Sequence, residues 1–284
     1  MTDDLRTIAG YALREALRRR VLSVVVILTL GFLALYWLGV REAFDEVQSL
    51  GGVPDLEEET LVGATLIGLA MFVTLFLGVV LAVFLTLSAV RGDAERGLLQ
   101  PLVVRPVGRT TLLLARFLAA SAVCIAYVEI VLATAVVITG ATGGWWPSDP
   151  VLVGMGLGAA VVIVVGISLL GSTVLSTTAN GIAVFMVFGA GLAAGLLGQM
   201  GEALGSHTLS RIASIASWAL PFEALYQSAL HTLTADITGV AGVAVRLGPF
   251  GGAQEAGAAL WPYALAYLLA TGAIADLAFR RRDL

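Results

Sequence analysis

The sequence contains no lysine: all 16 of its basic residues are arginine, in a chain of 284 residues. A Walker A phosphate-binding loop, a Schiff base and lysine-assisted activation of a nucleophile all require lysine, so these classes of enzyme are excluded. Cysteine occurs once, at Cys124, which excludes an intrachain disulfide scaffold. Charged residues make up 13% of the chain, whereas a soluble domain carries about a quarter, so the protein belongs in a lipid bilayer.

Histidine is also scarce. His207 and His231 are the two histidines, and neither lies in an HExxH pattern or near clustered cysteine or aspartate. The sequence therefore predicts no metal site, and no cofactor is expected to bind to this chain.

Long uncharged runs supply six candidate membrane spans. A hydrocarbon core about 30 Å thick takes about 20 helical residues to cross. The uncharged stretch from Pro150 to Gly201 is too long for one crossing, and its polar break at Ser176 to Gly181 predicts a tight hairpin between two spans. We therefore predict an all-α membrane protein with one transmembrane domain over residues 1–284. Its predicted spans are 21–40, 61–90, 111–139, 150–175, 181–200 and 256–279.

The placement of the arginines predicts the orientation. Five precede span one, four lie between spans two and three with a fifth, Arg116, near the start of span three, and three follow span six, which puts 13 of the 16 on one side. By the positive-inside rule this side is cytoplasmic, so both termini are predicted to be cytoplasmic. The use of arginine alone, with abundant Ala, Gly, Val and Leu, is typical of a high-GC bacterium. The expected location is therefore a bacterial inner membrane.

Three segments outside the spans carry patterns of their own. In residues 1–20, apolar residues recur at helical spacing with the arginines off that stripe, which predicts an amphipathic helix on the cytoplasmic membrane surface. Residues 91–110 place leucines among dense charge, which predicts a short cytoplasmic helix that packs on a partner. Residues 203–255 predict outer re-entrant or interfacial helices. One of them begins at Pro221 and has Glu223 and Gln227 on its polar face.

The segment after span two resembles the first cytoplasmic loop of the type 2 ABC exporter permeases. Its differences from that family are Leu98 for Thr, Gln100 for Glu, an extra Pro101, Arg105 for a small polar residue, Gly108 for Ser and Arg116 for Lys. The N-terminal amphipathic helix, the six spans and the segment from Pro221 to Tyr226 extend the resemblance over nearly the whole chain. The residues that fall at the family's spacing are Glu95, Gly97, Leu99, Pro106, Val107, Arg109 and Arg116.

The resemblance implies a permease dimer, made with a second copy or a paralogue, that binds two cytoplasmic ABC ATPase subunits. Those subunits would hold ATP and Mg, and no nucleic acid is expected as a partner. In this family the amphipathic helix and the first cytoplasmic loop, a coupling helix, contact the ATPase. The implied ATPase-coupling residues are Arg14, Arg18, Asp93, Glu95, Gly97, Leu99, Pro106 and Arg109.

The family also implies a substrate pathway lined by spans one, two and five at the dimer interface. Aromatic and methionine side chains suit an apolar or amphiphilic substrate, such as a drug, a lipid or a peptide. The candidate pathway residues are Met71, Phe72, Phe76, Phe185 and Phe188, with Glu129 from span three.

Glu129 lies roughly midway through span three, where an ionised carboxylate is costly. Either it binds protons or a cationic substrate, or it forms a structural hydrogen bond to a hydroxyl, such as that of Thr134 or one on a neighbouring helix. The alternative function is therefore a proton-coupled secondary carrier that uses Glu129. An intramembrane hydrolase that uses Ser168, Ser172 or Ser176 ranks last, because no histidine or lysine base lies at membrane depth.

Overall fold

The computed structural model describes residues 20–49, 58–87, 108–234 and 259–281, together with residues 10, 14 and 257. Every regular element in these ranges is an α-helix, which confirms the all-α prediction. The helices are α1 (Arg20–Ser49), α2 (Glu58–Thr86), α3 (Arg109–Gly143), α4 (Pro150–Val174), α5 (Thr177–Ala203), α6 (His207–Ala219), α7 (Pro221–Thr234) and α8 (Leu260–Arg280).

Six of these helices, α1 to α5 and α8, are long and apolar enough to cross a membrane, as the sequence predicts. The helices α1 and α3 extend beyond their predicted spans, to Ser49 and Gly143. In α1 and α3 the apolar run ends at a charged or polar residue or a glycine, whereas backbone hydrogen bonding continues beyond it. Span two is the opposite case, because it is predicted over 61–90 and its helix ends at Thr86. The predicted hairpin between spans four and five is present, since α4 ends at Val174 and α5 begins at Thr177.

The central helix of the bundle is α4, which packs against α2, α3, α5, α7 and α8. Its glycines let these neighbours approach closely, as small residues do in membrane helix packing. A Cβ at Gly156 would lie 2.9 Å from the Cβ of Ala229 on α7. One at Gly166 would lie 2.9 Å from a methyl of Leu268 on α8. The positions of α7 and α8 thus depend on Gly156 and Gly166, because a side chain at either position would come too close to them.

In contrast, α1 is peripheral and packs along one stripe against α2 and α3. Two side-chain hydrogen bonds join it to α3. The hydroxyls of Thr29 and Tyr127 lie 2.7 Å apart, and so do those of Tyr36 and Thr139. The opposite face is uncovered, and Leu35 is 71% exposed. This helix therefore offers a long apolar surface to lipid or to another chain.

Two short helices occupy the described part of the region between spans five and six. They separate at Leu220, directly before Pro221, where the sequence predicts that the second of them begins. The first, α6, lies along α5 with none of its residues buried, whereas α7 packs firmly on α4. The polar face predicted for α7 does not point to solvent, because Glu223 is 2% and Gln227 7% exposed. The glycines of α5 cover this face, since a Cβ at Gly195 would lie 2.2 Å from Oε1 of Glu223.

Candidate functional site

Most of the predicted ATPase-coupling residues lie outside the described residues. Of the others, Arg14 is helical and exposed, and Arg109 is the first residue of α3. The N-terminal amphipathic helix and the coupling helix therefore stay predictions. The coupling residues outside the described ranges are Arg18, Asp93, Glu95, Gly97, Leu99 and Pro106.

A polar triad holds the start of α3 beside the end of α8. Nε of Arg280 lies 2.8 Å from Oδ2 of Asp276, and its Nη2 donates to the hydroxyl of Thr110 at 3.0 Å. That hydroxyl in turn donates to Oδ1 of Asp276 at 2.8 Å. Thr110 is the last residue of the predicted coupling segment, 91–110. The triad therefore fixes the point at which this loop enters the helix bundle.

Two of the predicted pathway residues meet in an aromatic cluster. The ring centroids of Phe76 on α2 and Phe188 on α5 are 6.3 Å apart, and Phe188 stacks on Phe222 of α7 at 5.6 Å. Phe76 is 43% exposed, whereas Phe188 is buried. The cluster thus presents one aromatic edge on the outside of the bundle. Sequence reasoning did not assign Phe222 to the pathway, although it lies in the family-like segment from Pro221 to Tyr226.

The remaining pathway candidates on these helices are less accessible. Met71 is fully buried within its own chain. Phe72 and Phe185 are partly buried and pack against the main core. In the single chain, Phe76 is therefore the pathway candidate that is most available to a substrate.

Glu129 packs on glycines of α4. A Cβ at Gly154 would lie 2.3 Å from its Oε2, and one at Gly158 would lie 3.7 Å from its Oε1. The hydrogen bond to Thr134 that the sequence suggests is absent, because that hydroxyl donates to the carbonyl of Ile130 at 2.7 Å. Among the described residues the carboxylate has no hydrogen-bond or ion-pair partner. It faces α4, which is not one of the three spans predicted to line the pathway.

A buried polar cluster joins α2, α4 and α5 near the hairpin between the last two. Thr86 donates to the hydroxyl of Ser168 at 2.6 Å, and Nδ2 of Asn180 donates to the carbonyl of Ser168 at 3.0 Å. Gly171 makes room for the amide, since a Cβ there would lie 2.0 Å from Oδ1 of Asn180. The hydroxyl of Ser172 donates to the carbonyl of Leu169. These contacts give the candidate nucleophiles Ser168 and Ser172 structural roles.

Sequence reasoning missed Glu223 as a functional candidate. Its burial raises the pKa of the carboxyl to about 7, although a hydrogen bond from Nε2 of Gln227 at 3.0 Å opposes this change. The sequence feature that could have indicated its burial is the four-residue spacing of Gly191 and Gly195 on α5. A Cβ at Gly191 would lie 2.3 Å from the ring of Phe222, so this pair of glycines accommodates the start of α7.

The chain matches the family described as ABC-2 family transporter protein over residues 6–284. No curated protein matches the chain. Because the family match spans nearly the whole sequence, the protein belongs to the ABC-2 transporter family. It is a multi-pass membrane permease of an ABC transporter, and this family implies an ATP-binding partner subunit.

Proposed function

We propose that this chain is the permease subunit of an ABC exporter. In this proposal, two permease chains form the translocation pathway for an apolar or amphiphilic substrate, and separate ATPase subunits drive transport. The observation that carries it is the family match over residues 6–284 in a chain without lysine. Without a Walker lysine this chain cannot form the phosphate loop, so ATP must bind to another subunit.

The uncovered faces of α1 and α5 support a pathway between two permeases. On α5, Ile182, Met186 and Met200 are 57%, 69% and 53% exposed. We assign these side chains and the exposed edge of Phe76 to one apolar pathway surface, because methionine and aromatic side chains can adapt to irregular apolar substrates. A second permease on this side would enclose that surface. This arrangement favours export of a drug-like, lipid or peptide substrate over transport of a small ion.

Cysteine cross-linking tests the interface. Cys124 is buried and is the one native cysteine, so Cys124→Ala supplies a background without thiols. In membranes, Met186→Cys in this background should give a cross-linked dimer with a short bismaleimide. Leu269→Cys on α8 is the matched control, because this side chain is also 66% exposed but lies on another helix. Cross-linking through Leu269→Cys and none through Met186→Cys would place the interface elsewhere.

The coupling role can be tested on the complex purified through a tag on this subunit, expressed with its neighbouring genes. A stoichiometric ATPase subunit should co-elute. Transport should be lost in Glu95→Ala and Arg109→Ala, because the resemblance puts both residues at the ATPase contact. Glu59→Ala, an exposed acid at the start of α2, is the control and should transport normally. Full transport in both coupling variants, or a permease that purifies alone, would contradict the proposal.

The secondary-carrier alternative has one observation in its favour, which is that the carboxylate of Glu129 has no partner among the described residues. A carrier of this kind would lose transport when the proton gradient is collapsed and would keep it when ATP is depleted. The exporter would keep transport when the proton gradient is collapsed and would lose it when ATP is depleted. Glu129→Gln, assayed under both conditions, decides whether this carboxylate takes part in transport at all.

A further inference from the structure

A cavity of about 210 Å³ lies between α5, α6 and α7. A single buried water needs about 15 Å³, so this cavity has room for a larger group. Its wall on α5 is made of glycine and alanine, that on α6 is rich in serine, and α7 contributes a carboxyl and an amide. The lining residues are Gly191, Ala194, Gly195, Gly198, Ser210, Ala213, Ser214, Ala216, Ser217, Glu223 and Gln227.

The carboxyl group of Glu223 is incompletely satisfied within the protein. The residue is 2% exposed, and its Oε1 accepts a hydrogen bond from Gln227 at 3.0 Å. Its Oε2 is buried and has no hydrogen-bond partner in the part of the chain that the structure describes. A buried acceptor without a partner costs free energy, and a buried charge costs more. A group bound in the cavity would remove this cost.

Two serine hydroxyls of α6 in the cavity lining present acceptors. The hydroxyl of Ser210 donates to the carbonyl of Ser206 at 3.2 Å, and that of Ser217 donates to the carbonyl of Ser214 at 2.9 Å. Their hydrogens are therefore engaged, and their oxygen lone pairs remain available. Glu223 is the one ionisable residue in the lining. These two acceptors and the carboxylate together match a cation that carries several N–H donors.

We propose that this cavity binds the ammonium group of an amine, with Glu223 as its counter-ion and the serine hydroxyls of α6 as further acceptors. An anion would be repelled by the carboxylate, and an apolar ligand would leave the acceptors unpaired. A free amine and an ammonium-bearing lipid headgroup supply the same chemistry.

Binding should depend on pH through Glu223. Its pKa of about 7 means that the carboxylate forms as the pH rises through neutrality, whereas an alkylamine stays protonated to about pH 10. Burial raises the pKa of Tyr226, and the charge of Glu223 raises it further, so this phenol stays neutral in this range. Within its sequence, α4 has no ionisable residue. The helices around α7 carry the ionisable residues Glu58 and Glu59 of α2, Glu202 of α5, His207 and Arg211 of α6, and Tyr263, Tyr267, Asp276 and Arg280 of α8. His231 lies on α7 itself.

Isothermal titration of the full-length permease in phosphatidylglycerol nanodiscs tests the proposal, with n-butylammonium chloride as the probe. At pH 8 n-butylammonium should bind at least tenfold more tightly than n-pentanol, its uncharged analogue of similar size. Glu223→Gln should weaken n-butylammonium binding at least tenfold. Glu59→Gln makes the same chemical change at an exposed site and should leave binding unchanged. Ser217→Ala removes one acceptor, does not disturb a buried charge, and should weaken binding a few-fold.

The wild-type protein alone also tests the proposal, since its affinity for n-butylammonium should rise between pH 6 and pH 8. Adding phosphatidylethanolamine to the nanodiscs distinguishes the two sources of the ammonium group, a free amine and a lipid headgroup. Competition with the probe would identify a lipid headgroup as the occupant, and no competition would identify a free amine. The proposal is overturned if folded Glu223→Gln binds the probe as the wild type does. A flat pH profile or equal binding of n-pentanol would overturn it too, and would leave a cavity that holds water.

Discussion

Replacing Glu223 with glutamine should stabilise the protein at pH 8 and have little effect at pH 4.5. Glutamine has nearly the same size and can still accept a hydrogen bond from Gln227. The substitution therefore removes the ionisation of the side chain while it keeps the packing on α5. Any change in stability that depends on pH can then be assigned to the carboxylate.

The size of the effect follows from the pKa. Burial raises the pKa of Glu223 from 4.5 to about 7, and this difference corresponds to about 3 kcal/mol at about 1.4 kcal/mol per pH unit. A carboxyl whose pKa is higher in the folded state binds more protons there than in the unfolded state. The contribution of Glu223 to the wild-type free energy of unfolding should therefore fall as the pH rises from about 4.5 to about 7, and stay level above that. At 2% exposure, solvent screening does not reduce this estimate.

The assay is the free energy of unfolding in mixed micelles, from SDS titrations at pH 4.5, 6, 7 and 8. The contribution of Glu223 is the difference between the free energies of unfolding of the variant and the wild type at each pH. The other titrating groups contribute equally to both proteins, so they do not affect this difference. This difference should grow by about 3 kcal/mol from pH 4.5 to pH 8. Glu59→Gln should give a difference that does not vary with pH. A constant difference for Glu223→Gln would show that its carboxyl titrates normally and would refute the reasoning.

Two further predictions concern packing. Gly191→Ala should destabilise the protein by about 1–3 kcal/mol, because its Cβ would lie 2.3 Å from the buried ring of Phe222. Gly189→Ala, two residues away with no atom near its Cβ position, should be neutral or stabilising by up to about 1 kcal/mol, and equal effects in the two variants would contradict the fold of α7 on α5. Tyr36→Phe and Tyr127→Phe should each cost about 0.6 kcal/mol in the same SDS titration, because each removes one hydrogen bond between α1 and α3. A loss near 3 kcal/mol in either variant would mean that the bond anchors α1 more strongly than its geometry indicates.

The membrane spans could be predicted from the sequence because the bilayer imposes a simple requirement. Each crossing needs about 20 apolar residues whose backbone groups bond within the helix, so the uncharged runs identify the spans. The break at Ser176 marks the hairpin between α4 and α5 for the same reason. The helix ends could not be placed as well, because α1 and α3 continue past their last apolar residues.

The faces on which the helices pack could not be predicted. The helix α2 is apolar on all sides, so nothing in its sequence distinguishes buried Met71 from exposed Phe76. In lipid the hydrophobic effect does not determine which face of the helix packs against another helix. Small residues, which allow the helices to approach closely, determine it. The glycines on α4 and α5 were therefore the informative positions, although their partners are far away in the sequence.

For Glu129 and Glu223, too, the sequence alone could not predict which carboxyl group is buried. Glu129 lies inside a long apolar span, so its cost in lipid is evident from the sequence, yet the structure leaves it only partly buried. Glu223 lies in a helix of mixed polarity, where a carboxyl is unremarkable, and it becomes buried because α4 and α5 cover α7 on two sides. Enclosure by neighbouring helices, which no single segment encodes, thus decides which carboxyl loses its contact with solvent. For this reason Glu223 deserves the first ligand-binding experiments, whereas Glu129 is tested by the energy source of transport.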